Sequence, residues 1–135
     1  MPLTKNALKT IPKHTFYNLT SDFRFFRDYI SLTESQQEIV DELYLKFVAK
    51  QPCVVTGGFP VQVHHIRSHE YLAGAGKKAL DIFTLPLVPD CHNSENKSIH
   101  ALGNEKFEET HNISIRREMQ LLQDKFVKDL KRRIE

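Results

Sequence analysis

The sequence predicts an α+β fold, a small β-hairpin set among helices, from three observations. Residues 34–50 carry apolar side chains at helical spacing. Residues 53–67 and 83–88 are rich in β-formers and bounded by Gly and Pro. Residues 114–135 return to a helical apolar stripe. At 135 residues the chain has the length of a single domain, 1–135. It can bury a core without a disulfide framework or a structural metal. Hydrophobic residues at 40% and charged residues at 27% are ordinary globular values, which argues against wholesale disorder.

Taken in order, residues 1–13 are polar, with Pro2 and Pro12 as breakers, and predict a flexible arm. Residues 14–50 predict a helical extension. In it Ser21 caps a short helix carrying Phe25, Phe26 and Tyr29. Thr33 followed by Gln36 is a capping-box signature for a helix over about residues 34–50. Ile39, Leu43 and Phe47 share a face with Val40, Tyr44 and Val48, the stripe of a core-facing helix. Pro52 ends that pattern. In CVVTGGFPVQVHHIR, Gly57-Gly58 and Pro60 predict a turn between two short β segments. Residues 68–80, with Gly74 and Gly76, predict a loop. Phe83–Val88 predicts an edge strand, because Pro86 would break a central ladder. Helices are expected over 100–110 and 114–135, separated at Asn112. The second has Ile115, Met119, Leu122, Phe126, Leu130 and Ile134 on one side and seven basic residues on the rest.

Several function classes are disfavoured early. No apolar stretch approaches the roughly 18 residues of a membrane span, so no membrane partner is expected. Lysines near the N-terminus are followed by no apolar run, so no secretory signal is expected. Two cysteines make no disulfide framework, and the expectation is a cytoplasmic protein. A net charge of +2 does not by itself establish nucleic-acid binding.

The histidines are more informative. Of seven, only His14 lies outside positions 64–111. His64-His65 ends an alternating segment, where one neutral imidazole can hold a divalent cation and its neighbour can take a proton from water. An adjacent pair by itself fits an ordinary surface equally well. Downstream, Asp90-Cys91-His92-Asn93 follows the second β run, and His100 comes eight residues after His92. An unbroken helix would hold those two imidazoles about 12 Å apart. The Asn-Ser-Glu-Asn composition of the intervening stretch favours a loop, which would let His64, His92 and His100 converge on one ion. His100 fits a capping or surface role as well, and His69 and His111 fit exposed positions. The basic face of the last helix fits plain solvation, and the aromatics of residues 16–29 fit core packing.

Together, CVVTGGFPVQVHHIR, GAGKKALD, TLPLVPDCHN and IHALGNEKFEETHNI resemble the HNH, or ββα-metal, endonucleases. The branch they resemble most is that of small phage and prophage recombination-enhancement nucleases. The resemblance spans residues 53–113 and leaves residues 1–50 and 114–135 uncovered. It implies a ββα-metal core and a metal-dependent endonuclease acting on DNA, linked to recombination or DNA processing. It also implies one divalent ion (Mg, Mn or Zn), and a bacterial host cytoplasm or nucleoid if phage-encoded. Position by position it implies His64, His92 and His100 as metal ligands, and His65 as general base, held by a backbone carbonyl through its other nitrogen. Asp81 and Asn93 are implied as structural support, and Lys78 and Arg67 as phosphate contacts. DNA, including single-stranded or recombinase-coated forms, is the implied partner. The basic C-terminal helix or Lys5, Lys9 and Lys13 of the arm would add contacts, and a recombinase or another phage protein is a further possible partner.

The sequence departs from the family at its zinc knuckles. Cys53 is followed by Thr56 where a second cysteine would stand, and Cys91 is preceded by Val88. No complete four-cysteine structural zinc site is therefore expected, although Cys53 and Cys91 can remain as a reduced pair. The alternative, from a different class, is a non-catalytic module in which the metal only stabilises a nucleic-acid or protein binding surface. His65 separates the two, because a structural site has no use for a free imidazole beside a ligand.

Overall fold

The computed structural model describes residues 24–67 and 80–134. The arm at 1–13 with Lys5, Lys9 and Lys13, as well as His14, His69 and Lys78, lies outside the described residues. The described elements are α1 (Arg24–Ile30), α2 (Glu34–Ala49), β1 (Gln62–His65), β2 (Thr84–Leu87), α3 (Pro89–Asn93), α4 (Ile99–Leu102), α5 (Asn104–His111) and α6 (Ile115–Ile134). The class is α+β, as the sequence predicts.

The capping box forms as expected. Thr33 Oγ1 accepts from Gln36 N at 3.2 Å, and Gln36 Oε1 accepts from Thr33 N at 2.9 Å. A cap of this kind contributes about 0.5–2 kcal/mol. α2 then turns Val40, Leu43, Tyr44 and Val48 into the core. From α6 come Ile115, Met119, Leu122, Phe126, Val127 and Leu130. Tyr44 and Phe126 meet edge to face at 4.9 Å between ring centroids, and Phe25 meets Phe126 at 5.8 Å. These contacts lock α1, α2 and α6 into one frame, because aromatic pairs add about 0.5–1.5 kcal/mol beyond their buried area.

β1 and β2 pair antiparallel, with His64 opposite Leu85 and His65 opposite Thr84. Every residue of β2 is buried. The run Phe83–Leu87 therefore anchors the sheet to the helical frame, at roughly 1.5–3 kcal/mol per buried large apolar side chain. Pro86 is tolerated because a two-stranded sheet needs no N–H there, and its carbonyl accepts from Val54 N at 3.1 Å.

Two sequence expectations are corrected. Residues 53–55 are not a strand. Cys53 N donates to Gly58 O at 3.0 Å and Gly57 N to Cys53 O at 2.8 Å, so the segment folds on itself as a turn with Gly57 at φ +73°. Among the described residues, the strand that pairs with β1 is β2. The helix expected over 100–110 is split at Gly103, whose φ of +81° ends α4 and starts α5. The break at Asn112 is as expected. Asn112 is left-handed, and Glu108 Oε2 accepts from Ile115 N at 2.7 Å to start α6.

Candidate metal centre

Three separate pieces of backbone deliver the imidazoles. His64 comes from β1. His92 comes from α3, a five-residue helix opened by Pro89, which is suited to a first turn that needs no N–H. His100 comes from α4, brought back by a loop that Ser98 closes. The Ser98 hydroxyl donates to Ser94 O and accepts from Ala101 N at 3.1 Å, and the residue is fully buried. The stretch between His92 and His100 is thus a loop, as its composition predicts.

One ligand nitrogen from each of His64, His92 and His100 lies within 4.8 Å of the others. Ring centroids are 4.9 Å apart for His64–His92 and for His64–His100, and 4.7 Å for His92–His100. The Nε2 atoms of His92 and His100 are 3.1 Å apart. Two ligands about 2.0–2.1 Å from a tetrahedral ion would sit roughly 3.3 Å from each other, so this spacing fits a shared cation.

The donor set has its supporting layer. His92 Nδ1 lies 2.6 Å from Gln62 Oε1, an acceptor, so Nδ1 carries the proton and Nε2 offers its lone pair. Burial pushes the His64 pKa down to about 4, helped by the neighbouring His92 and His100. His92 is lowered by burial and then by His100. Both imidazoles are therefore held neutral near pH 7, the state a ligand needs. The residues present fit a divalent ion bound by nitrogen.

His65 is set apart from this cluster. Its Nε2 is 2.7 Å from Asp81 Oδ1. A carboxylate only accepts, so Nε2 donates, and in the neutral form of the ring Nδ1 keeps a lone pair. The expected backbone carbonyl is thus replaced by a carboxylate, which orients the ring more strongly because the bond is charge-assisted. The two strand-end histidines, which strict alternation would send to opposite faces, line one cavity of about 450 Å³. Val63, Arg67, His92, His100 and Asn104 line it with them.

Arg67 stands exposed at the edge of this cavity. Asn93 is exposed at the last residue of α3, with no hydrogen bond to the histidines among the described residues. The support expected of it falls instead to Gln62 and Asp81. No sequence motif singles out Gln62, Asn104, whose Nδ2 donates to Arg67 O at 3.3 Å, or Gln123. Only Gln62 had a local signal, two positions before His64 on the alternating segment.

Cys53 and Cys91 are free, buried and within hydrogen-bonding reach of each other. Burial drives the Cys91 thiol up to about 11, aided by the charge of Cys53 and by the hydrogen bond it gives to Cys53. Burial also works against the Cys53 thiolate. Hydrogen bonds from the Thr56 side chain and from the backbone of Thr56, Val88 and Val55 outweigh it and bring Cys53 below its usual range. Thr56 and Val88 flank this pair of thiols.

Comparison with known proteins adds kinship without activity. Over 93 residues, 69% of this chain, the sequence is 30% identical to "Uncharacterized protein YdfU" of Escherichia coli (strain K12). The chain covers 26% of that protein's length. No solved structure matches. No helix among the described residues is long and apolar enough to cross a membrane. The family described as "Protein of unknown function (DUF968)" matches residues 32–128, taking in α2, the strands and the three histidines, and the chain belongs to that family.

Proposed function

We propose that the protein is a divalent-metal-dependent endonuclease of the HNH (ββα-metal) kind, hydrolysing phosphodiester bonds in DNA. In this reading β1, β2 and the helical segment α3–α4 are the ββα element. The observation that carries it is the division of labour among four histidines. His64, His92 and His100 present nitrogens within 4.8 Å of one another, while the next residue along β1, His65, is held on Asp81. A module that used its ion only for stability would need the first three and not the fourth.

A bound divalent ion supplies Lewis-acid stabilisation of the charge that grows on the phosphoryl and leaving oxygens. The donor set bears on its identity, because three imidazoles without a carboxylate suit zinc or a similar transition ion better than magnesium. His65 Nδ1 accepts a proton from water as the water oxygen bonds to phosphorus. The phosphorus–3′-oxygen bond breaks with its electron pair on that oxygen, which solvent protonates. Asp81 keeps the ring in the tautomer this needs and stabilises the imidazolium that forms. Arg67 neutralises an adjacent phosphate from the cavity rim. Phosphate contacts carry little sequence information, so weak sequence preference is expected.

The test is plasmid nicking with Mg²⁺, Mn²⁺, Ni²⁺ and Zn²⁺, run beside His65→Ala. Nicking that requires both an ion and His65 is the expected result. Absence of cleavage under every ion, by protein shown to be folded, replaces this reading with the metal-stabilised binding module.

A further inference from the structure

We propose that Gln123 is a positioning residue for the His65–Asp81 pair, acting from the core through the backbone of the turn that carries Asp81. The inference rests on the nuclease reading only for what the pair does.

Gln123 lies on the buried side of α6, between Leu122 and Phe126, and is 1% exposed. A glutamine in such a place loses its water and must recover a hydrogen bond or cost roughly 1–3 kcal/mol. Its Nε2 donates to Ile82 O at 2.9 Å, across 41 residues of chain. Ile82 immediately follows Asp81, and every carbonyl of the turn is bonded. Leu80 O accepts from Phe83 N at 3.0 Å, Asp81 O from Thr84 Oγ1 at 3.0 Å, and Phe83 O from Ile66 N at 2.9 Å. Those three bonds come from the turn itself or from the chain beside the sheet. Of these four bonds, the one from Gln123 runs between the turn and α6.

The consequence falls on Asp81. An aspartate side chain is short, so its reach to His65 Nε2 at 2.7 Å is fixed by where its backbone sits. Displacing a catalytic group by about 1 Å can cost on the order of 10²-fold in rate. An apolar residue at 123 would bury as well and pack as well on α6, but would leave Ile82 O unbonded and the turn free to shift.

The test uses the full chain. Long-range ¹H–¹⁵N spectra at pH 8 identify which ring nitrogen of His65 carries the proton. The wild type is expected to show the Nε2–H form. Gln123→Met, close in size but lacking the amide, is expected to show a mixture of tautomers, as Asp81→Ala does. If the Met variant does not fold, Gln123→Asn, one methylene too short, is read at the same ring with the same expectation. In nicking, Gln123→Met is expected to lower kcat about 10–100-fold at unchanged KM, and to add nothing in an Asp81→Ala background. A folded variant with an unaltered His65 tautomer, or losses that multiply in the double variant, overturns the proposal. A wild type that fails to nick removes the nuclease reading, and the spectra still decide the role of Gln123.

Discussion

Cys91 and His92 are neighbours on α3, yet they face opposite environments. Cys91 is 3% exposed and turned inward onto Cys53, whose sulfur also takes hydrogen bonds from Thr56, Val88 and Val55. His92 is half-buried at a cavity, with Gln62 on one nitrogen and His100 facing the other. Both corners are built from side chains that bind metals. Only the imidazole corner has three donors, a supporting acceptor and room for solvent-borne ligands. A metal centre is therefore decided less by which residues occur than by how many converge and what orients them.

The largest expected effects test that contrast at the pocket. His65→Ala should lower nicking by about 10²–10⁴-fold, the usual share of general-base assistance, while metal content stays at its wild-type level. His92→Ala should do the reverse first, emptying the site of metal as read by elemental analysis. Equal loss of metal in both variants would contradict the separation of ligand from base. Gln62→Leu should weaken metal affinity about 10–100-fold, the usual cost of removing a ligand's partner, and titration against a competing chelator measures it. Unchanged affinity there would mean that His92 needs no orienting acceptor.

At the cysteine corner the expectation is the opposite. Cys53→Ser together with Cys91→Ser should leave the metal stoichiometry untouched. The melting temperature should fall by roughly 3–5 °C, for about 1 kcal/mol of lost burial. Loss of metal in that double variant would show that the thiols hold an ion after all.

Much of this contrast was legible in the sequence where the signal was local. The capping box at Thr33–Gln36, the loop between His92 and His100 and the break at Asn112 each depend on residues within a few positions. The three ligand candidates were legible from the loop-forming composition between His92 and His100 together with the resemblance of the surrounding motifs to the HNH pattern. What escaped depends on pairs distant in the chain. Gln62 meets His92 across 30 residues, and Gln123 meets Ile82 across 41. A polar residue that serves a distant backbone atom looks, in sequence, like any surface glutamine. Residues 53–55 failed for another reason. Cys-Val-Val has high β-propensity, but Gly57 and Gly58 let the chain fold back and take the hydrogen bonds a strand would have used.

The smallest expected effect lies behind the pocket, in the frame that both corners share. Asp41 on α2 accepts a hydrogen bond from the Tyr29 hydroxyl at 2.8 Å. Burial raises its pKa to about 6, and the nearby Asp81 and Glu38 add to the rise while the Tyr29 bond opposes it. A carboxyl whose folded pKa is raised binds its proton more tightly in the native state than in the unfolded one. Its contribution to stability is therefore fully present below about pH 4 and is lost as pH rises through 6. Asp41→Asn keeps an oxygen for Tyr29 and removes the charge. The variant should melt higher than wild type at pH 7.5, by about 1 kcal/mol once the carboxyl's partial exposure is discounted. The gap should close as the pH falls towards 4. A constant difference across that range would mean that Asp41 is ionised alike in both states. The acid behind Asp81 would then add nothing to the polarity of the pocket.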